Sequence, residues 1–226
     1  DDLLNWDFHP NENLLIYDYA PDVRQIGEYL YFSASRRERN CPILRTKDPL
    51  SDEFEEVSAP FPFWDPDLFE DEDGRVYFYW GCTNTDPIYG VEMDRETMLP
   101  KSDVVPLIWG RETELGYERA GENGVSHKED SLVYQHLKKL VNPETGKIEV
   151  PEIMAKKMGY NQEALQKMFD SIGRPYIEGA FMTKHDGRYY LQYACPGTEY
   201  NTYSDGVYVS DKPLGPFTLQ KSNPFS

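Results

Sequence analysis

The sequence is poor in cysteine, histidine and positive charge, and each shortage disfavours a class of protein. Its 226 residues include 3 Cys, an odd number without a paired framework, so we predict free thiols. The 4 His have no metal-ligand spacing, and we predict no metal and no cofactor. The sequence has 23 Lys and Arg but 40 Asp and Glu, which gives a formal net charge of −17. This charge disfavours nucleic acid and anionic membrane surfaces as partners and suits an uncharged ligand.

Long apolar runs are also missing. No run approaches the roughly 18 residues that a membrane-spanning helix needs, so we predict no membrane partner. No signal peptide is recognisable at the N-terminus, where residues 1–8 resemble the outer-strand tails of the repeats at 48–54 and 211–217. The compartment therefore stays open between secreted, periplasmic and cytoplasmic.

What the sequence does contain is a repeat of short β-rich segments joined by glycine turns. The central copy, at residues 63–81, reads FWDPDLFEDEDGRVYFYWG, with Gly74 in an acidic turn between two strands. Similar stretches surround Gly27 and Gly187, which lie 47 and 113 residues from Gly74. A period in the forties, made of short strands with turn signals, indicates the blades of a β-propeller.

The repeats divide the chain into about three blades, at 15–57, 61–104 and 175–220. Three blades cannot close a ring, because common propellers have at least about four. The sequence therefore predicts an all-β fold in which residues 1–226 form an incomplete β-propeller catalytic domain. We expect the first blade's inner strands and the last part of the ring to lie outside this sequence.

Between the second and third blades, the periodicity changes to that of helices. Ser126 and Glu129 have the spacing of a capping box, and Asn161 can cap a later helix. We predict a helical insertion at 111–172, close to the mouth of the site.

Two acids stand where hydrophobic patterning gives no reason for them. Aligning the strand entrances places Ala20, Asp65 and Glu178 in register, and such positions converge on the central channel of a propeller. Two facing carboxylates suit acid–base chemistry, because repulsion and burial raise one pKa while the other group stays ionised. Asp65 has an alternative explanation as a cap before Pro66, whereas Glu178 has no evident structural role.

At these acids the sequence resembles a known family. WDPDLFEDEDGRVYFYWG resembles the second acidic motif of family 43 glycoside hydrolases, and YIEGAFMTKHDGRYYLQYA resembles their general-acid motif. The resemblance extends over most of the chain except the helical insertion. It implies a five-bladed propeller in the whole protein and inverting hydrolysis of arabinofuranosyl or xylosyl linkages by three carboxylates, as in xylan degradation.

The resemblance also implies roles for single residues. Asp65 matches the acid that tunes and orients the proton donor, and Glu178 matches the donor itself. The base belongs to a DP motif of the first blade, outside this sequence, so we expect the chain alone to be inactive. Ala180 stands where many members have Pro, which is a mild departure.

Three further side chains are candidate substrate ligands. Tyr19 and Trp64 adjoin blade entrances and can stack on a sugar ring, although core packing explains them equally well. Arg119 lies in GYERAGENG, which resembles a loop near the acid in some members; a solvated loop charge is the alternative. For the acidic run at 70–73 we predict a solvated turn rather than a calcium site, because the D-x-D-x-D-G spacing is missing.

The leading hypothesis is therefore an inverting glycosidase of carbohydrate metabolism, acting on an oligo- or polysaccharide of the plant cell wall. The alternative is a non-catalytic propeller that binds carbohydrate or protein. A third hypothesis is a relative with another sugar specificity, such as a fructosidase or an arabinanase. Acids in register at the central channel favour an enzyme, because a binding scaffold has no need to bury them.

Overall fold

The computed structural model describes residues 3–14, 17–36, 39–51, 53–119, 128–157, 159–198 and 202–225. Within these ranges the strands form three antiparallel sheets of four strands each. The first sheet contains β1 (Tyr19–Ile26), β2 (Tyr29–Ser35), β3 (Ile43–Thr46) and β4 (Glu55–Ser58). The second contains β5 (Asp67–Glu70), β6 (Val76–Trp80), β7 (Ile88–Met93) and β8 (Val105–Ile108). The third contains β9 (Glu178–His185), β10 (Arg188–Cys195), β11 (Ser204–Ser210) and β12 (Thr218–Leu219).

Each predicted blade corresponds to one of these sheets, with its strands paired in sequence order, but β8 lies beyond the predicted end of the second blade at residue 104. The predicted fold class, an all-β propeller architecture with about three blades here and a helical insertion, is confirmed. The glycine turns form as predicted, because Gly27, Gly74 and Gly187 all adopt the positive φ that such turns need.

The second sheet is buried on both faces, and strand β6 shows why. Val76 and Phe78 pack in the cluster shared with the first sheet. Tyr77 and Tyr79 pack in the cluster shared with the third sheet. Successive side chains of a strand point to opposite faces, so this all-apolar strand serves two interfaces at once.

Hydrogen bonds from backbone amides to carboxylates also join neighbouring sheets. Asp22 of the first sheet accepts the Leu68 N–H of the second at 2.9 Å. Asp67 of the second sheet, 1 % exposed, accepts the Met182 N–H of the third at 2.7 Å. Arg24 reaches across from β1 and pairs with Asp67 at 2.5 Å. The inner strands are thus held together by polar contacts at equivalent positions.

The acidic turn between β5 and β6 is only partly solvated, and the prediction is wrong for Asp71. This carboxylate is 4 % exposed and accepts hydrogen bonds from Lys184 Nζ at 2.6 Å and the Tyr189 hydroxyl at 2.5 Å. Asp71 therefore joins the second sheet to the third instead of facing water. Asp73 is half-exposed and pairs with Arg75 at 2.7 Å, as expected for a surface turn.

Between β8 and β9 the described residues form three α-helices: α1 (Leu132–Lys138), α2 (Glu152–Lys157) and α3 (Gln162–Ser171). Asn161 caps α3 as predicted, since its side chain accepts the Ala164 N–H at 2.7 Å. Ser126 lies outside the described residues, and the observed cap of α1 is Ser131. We call residues 128–157 and 159–174 the helical lobe. The predicted bounds of the helical insertion, 111–172, stay a prediction.

The lobe has a small core of its own. Leu137, Ile148, Ala155 and Leu165 are buried together, and Phe169 packs against them. None of the helices in the described part of the chain combines the length and apolarity that a membrane span requires.

The buried Asp67 provides a test of the contacts between sheets. We expect Asp67→Ala to lower the free energy of unfolding by about 2–4 kcal/mol, because it orphans the Met182 N–H and removes the closer of the two carboxylates that pair with Arg24. Urea denaturation measures the change. The matched control is Asp211→Ala, since Asp211 is 87 % exposed and pairs with Arg188 at 3.5 Å. An equal, small change in both variants would contradict the proposed contribution of Asp67.

The same carboxyl predicts a pH dependence. Burial raises the pKa of Asp67 to about 6, although Arg24 lowers it; in the unfolded chain the value is about 3.9. Its folded form binds a proton more tightly, so its contribution to stability is present below about pH 4 and lost as the pH rises through 6. We expect Asp67→Asn, which cannot ionise, to gain stability relative to the wild type between about pH 4 and pH 7. Denaturation curves at both pH values measure this gain, and a constant difference would refute it.

Candidate active site

A cavity of about 820 Å³ opens where the inner strands of the three sheets begin. Its wall combines aromatic and polar side chains from all three sheets. They include Tyr19, Trp64, Asp65, Cys82, Glu178 and Tyr203. Four of the five residues that the sequence singled out therefore line one cavity.

Backbone positions with positive φ mark the entrance of each inner strand: Ala20 at 44°, Asp65 at 47° and Gly179 at 62°. Gly adopts this region freely and Asp tolerates it, whereas Ala20 is strained. The predicted register is therefore wrong by one residue in the third sheet, where Gly179 and not Glu178 is equivalent to Asp65. The turn after β5 is longer than those after β1 and β9. The distance from strand entrance to turn glycine therefore differs between the copies.

The one-residue offset leaves the two acids close together. Asp65 Oδ2 accepts the Gly179 N–H at 3.2 Å, so Asp65 is anchored to the residue next to Glu178. Carboxylate oxygens of both acids lie within 4.8 Å of each other and of Cys82 Sγ. The Asp65 N–H donates to Ser35 Oγ at 3.2 Å, which also ties this entrance to the first sheet.

Two donors hold the carboxylate of Glu178. The Tyr203 hydroxyl donates to Oε1 at 2.7 Å, and the Cys82 thiol donates to Oε2 at 3.2 Å. Cys82 reaches this position because Thr83 and Ile177 form an isolated antiparallel bridge, with N–H···O distances of 3.0 and 3.2 Å. The bridge places the residue before Thr83 beside the residue after Ile177.

The site is an acidic environment with little compensating positive charge among its described residues. Burial raises the pKa of Asp65, and the charge of Glu178 raises it further, while the Gly179 N–H lowers it. Burial and the neighbouring Asp65 raise the pKa of the Cys82 thiol well above its usual range. Burial and the hydrogen bond to Glu178 likewise raise the pKa of the Tyr203 hydroxyl. The thiol and the hydroxyl therefore stay protonated at neutral pH and act as donors.

Asp65, Cys82 and Glu178 are near enough to share a metal ion. That the site uses no metal stays a prediction.

The aromatic candidates stand at the rim. The Tyr19 and Trp64 rings lie 5.7 Å apart with planes tilted by 39°, and Tyr19 is 50 % exposed.

Arg119 lies outside the cavity: it is exposed, its Nε donates to the Glu112 carbonyl at 3.0 Å, and it is absent from the described lining of the cavity. Its role as a substrate ligand stays a prediction.

The sequence did not identify Cys82 or Tyr203 as site residues. For Cys82 the sequence predicts only that it is one of three free thiols, and all three cysteines are free in the structure. In the segment GYERAGENG, the buried residue is Glu118, whereas Arg119 is exposed. Glu118 is fully buried and accepts the Tyr193 hydroxyl at 2.5 Å, and burial raises its pKa.

Comparison with sequence families agrees with the motifs. Residues 124–226 match the family model of glycosyl hydrolases family 43, which confirms the resemblance. A search of curated protein sequences finds no significant match.

Solved structures share the fold. The chain is similar to an endo-1,4-β-xylanase from Bacteroides thetaiotaomicron VPI-5482, with a TM-score of 0.59 and 21 % identity over 92 % of this chain and 55 % of that one. A thermostable family-43 glycoside hydrolase gives 0.58 and 21 %, over 91 % and 55 % of the two chains. An α-L-arabinofuranosidase from Clostridium thermocellum ATCC 27405 gives 0.51 and 14 %, over 89 % and 50 %. The chain thus spans about half the length of these structures.

The thiol of Cys82 reports the charge of Asp65. We expect Asp65→Asn to speed alkylation of Cys82 by iodoacetamide several-fold at fixed pH, because the thiolate reacts and the Asp65 charge suppresses it. Mass spectrometry of the modified peptides over time measures the rate. The buried Cys41 is the internal reference. An unchanged or slower rate at Cys82 would show that the two groups do not interact.

Proposed function

We propose, from the match of residues 124–226 to the family model of glycosyl hydrolases family 43, that this chain forms part of an inverting glycoside hydrolase. The substrate would be an arabinofuranosyl or xylosyl linkage of a plant cell-wall polysaccharide. The observation that carries this proposal is the contact of Asp65 with the Gly179 N–H at 3.2 Å, which brings two acids of separate sheets to one cavity.

Glu178 is the proposed general acid. Its carboxyl is half-buried at the cavity wall, as a group needs to be that donates a proton to a bound leaving oxygen. Tyr203 and Cys82 donate to its two oxygens and so fix the plane of the carboxyl group. Both act as positioning residues.

Asp65 is the proposed orienting acid. Its hydrogen bond to Gly179 holds the backbone next to Glu178, and the positive φ at both entrances turns these strands into the cavity. Its carboxylate lies within 4.8 Å of that of Glu178, so the two groups interact directly.

Inversion needs a second carboxylate, roughly 6.5–9.5 Å from the acid, to activate water. A third acid, Asp22, lines the cavity, but its carboxylate accepts the Leu68 N–H and pairs with Arg24 at 3.3 Å. We therefore assign the base to none of the described residues. The family resemblance assigns it to a DP motif of the first blade.

An uncharged sugar suits the surroundings. The chain has a net charge of −17, which repels anionic ligands. Tyr19 and Trp64 at the rim present aromatic faces on which a sugar ring can stack. The similar solved structures include an endo-1,4-β-xylanase and an α-L-arabinofuranosidase, which agrees with the pentose substrates proposed.

Replacement of Glu178 tests the reaction class. In the whole protein, we expect Glu178→Gln to lower kcat/KM about 10²–10⁴-fold for xylosides and arabinofuranosides with poor leaving groups. Activated aryl glycosides should lose far less, because their leaving groups need little protonation. Steady-state kinetics over a series of leaving groups measures both losses.

The control is Glu92→Gln, since Glu92 is a partly buried strand residue that pairs with Lys101 at 3.4 Å, away from the cavity. Equal losses for all leaving groups in Glu178→Gln would assign Glu178 a structural role. Full activity of that variant would exclude it from the reaction altogether.

A further inference from the structure

A second cleft lies between the helical lobe and the second sheet. It has a volume of about 150 Å³, and its wall includes Asn84, Asp86, Trp109, Glu112 and Arg174. It continues into a cavity of about 390 Å³ that shares Glu112 and Arg174 and extends along the lobe. We call these two spaces together the lobe cleft.

The lobe cleft adjoins the central cavity. The bridge of Thr83 and Ile177 separates the two, and both residues line the lobe cleft. Their chain neighbours Cys82 and Glu178 line the central cavity. Alternate residues of these short segments thus face the two spaces, so a ligand that crosses one narrow ridge occupies both.

The walls of the lobe cleft are held by polar contacts between the sheet and the lobe. Lys167 of α3 pairs with Asp86 at 2.6 Å, and Arg174 pairs with Glu112 at 3.6 Å. Asn84 Nδ2 donates to the carbonyl of Ser171 at 3.0 Å. Asp86 and Glu112 thus each pair with a base of the lobe, which leaves the net charge of the cleft wall close to zero.

Trp109 follows β8 and lines the cleft with 54 % of its surface exposed. A large aromatic face in a concave wall, surrounded by hydroxyl, amide and paired charged groups, matches the two sides of a sugar ring. The ring's C–H face packs on the aromatic ring, and its hydroxyls bond to the polar groups. The near-neutral wall favours an uncharged ligand over a phosphorylated or acidic one.

We propose that the lobe cleft is a distal subsite for an uncharged oligo- or polysaccharide, with Trp109 as its stacking platform. The subsite rests on the proposed function, because it binds a further residue of the chain whose reacting residue occupies the central cavity. Helix α3 and the residues after it, through Lys167 and Arg174, give the lobe a role in recognising longer substrates.

The test compares the affinities of the protein for long and for short ligands. In the whole protein carrying Glu178→Gln, which leaves the ligand uncleaved, calorimetry measures the affinity for xylohexaose and arabinohexaose. We expect Trp109→Ala to weaken the better-binding hexasaccharide about tenfold and to leave binding of an aryl monoglycoside unchanged. Arg174→Gln provides a second variant, for which we expect a several-fold loss confined to the hexasaccharide. Trp6→Ala is the control, because Trp6 is also exposed but does not line the lobe cleft.

Two outcomes would overturn the subsite. One is unchanged hexasaccharide affinity in Trp109→Ala, or failure of the parent to bind either hexasaccharide. The other is an equal loss for the hexasaccharide and the aryl monoglycoside, which would place the effect in the central cavity. Failure of the proposed function gives a different result, namely no cleavage of xylosides or arabinofuranosides by the wild-type protein, and the affinity ratio between long and short ligands is then still measurable by calorimetry.

Discussion

The structure depends on carboxylates at the inner strands that accept backbone N–H groups of the next sheet. Asp22 bonds to Leu68, Asp65 to Gly179 and Asp67 to Met182. Apolar packing between sheets is non-directional and tolerates sliding, whereas these bonds define which residues stand opposite each other. The relative positions of the three strand entrances, and hence the shape of the cavity, follow from them.

The same arrangement makes the cavity a place where negatively charged groups are energetically unfavourable. Asp65, Glu178 and Cys82 meet with few compensating cations among the described residues, and burial raises the pKa of Asp65 and of the thiol. Such groups would destabilise a structural core. Their concentration at one opening is typical of a site where proton transfer is the task. Ala20, at the equivalent position of the first sheet, keeps the strained backbone but has no functional group.

The helical lobe is attached to this scaffold by polar contacts rather than by a shared core. Its apolar cluster around Leu165 is its own, while Lys167, Arg174 and Asn84 join it to the second sheet. Partly exposed ion pairs contribute little stability, so their value lies in fixing the distance between two walls. This geometry keeps the lobe cleft open beside the ridge of Thr83 and Ile177.

The sequence alone determined the sheets, the turns at Gly27, Gly74 and Gly187, the Asn161 cap and the presence of acids at the strand entrances. These features depend on alternation, positive φ and capping, which involve only residues near each other in the chain. The tertiary structure decided that Gly179 is equivalent to Asp65, that Asp71 is buried against Lys184, and that Cys82 contacts Glu178. These outcomes depend on how separate sheets pack, and the contact of Cys82 with Glu178 joins groups 96 residues apart. No local pattern encodes a distance of that kind, because it is set by turn lengths and inter-sheet bonds along the whole path between them.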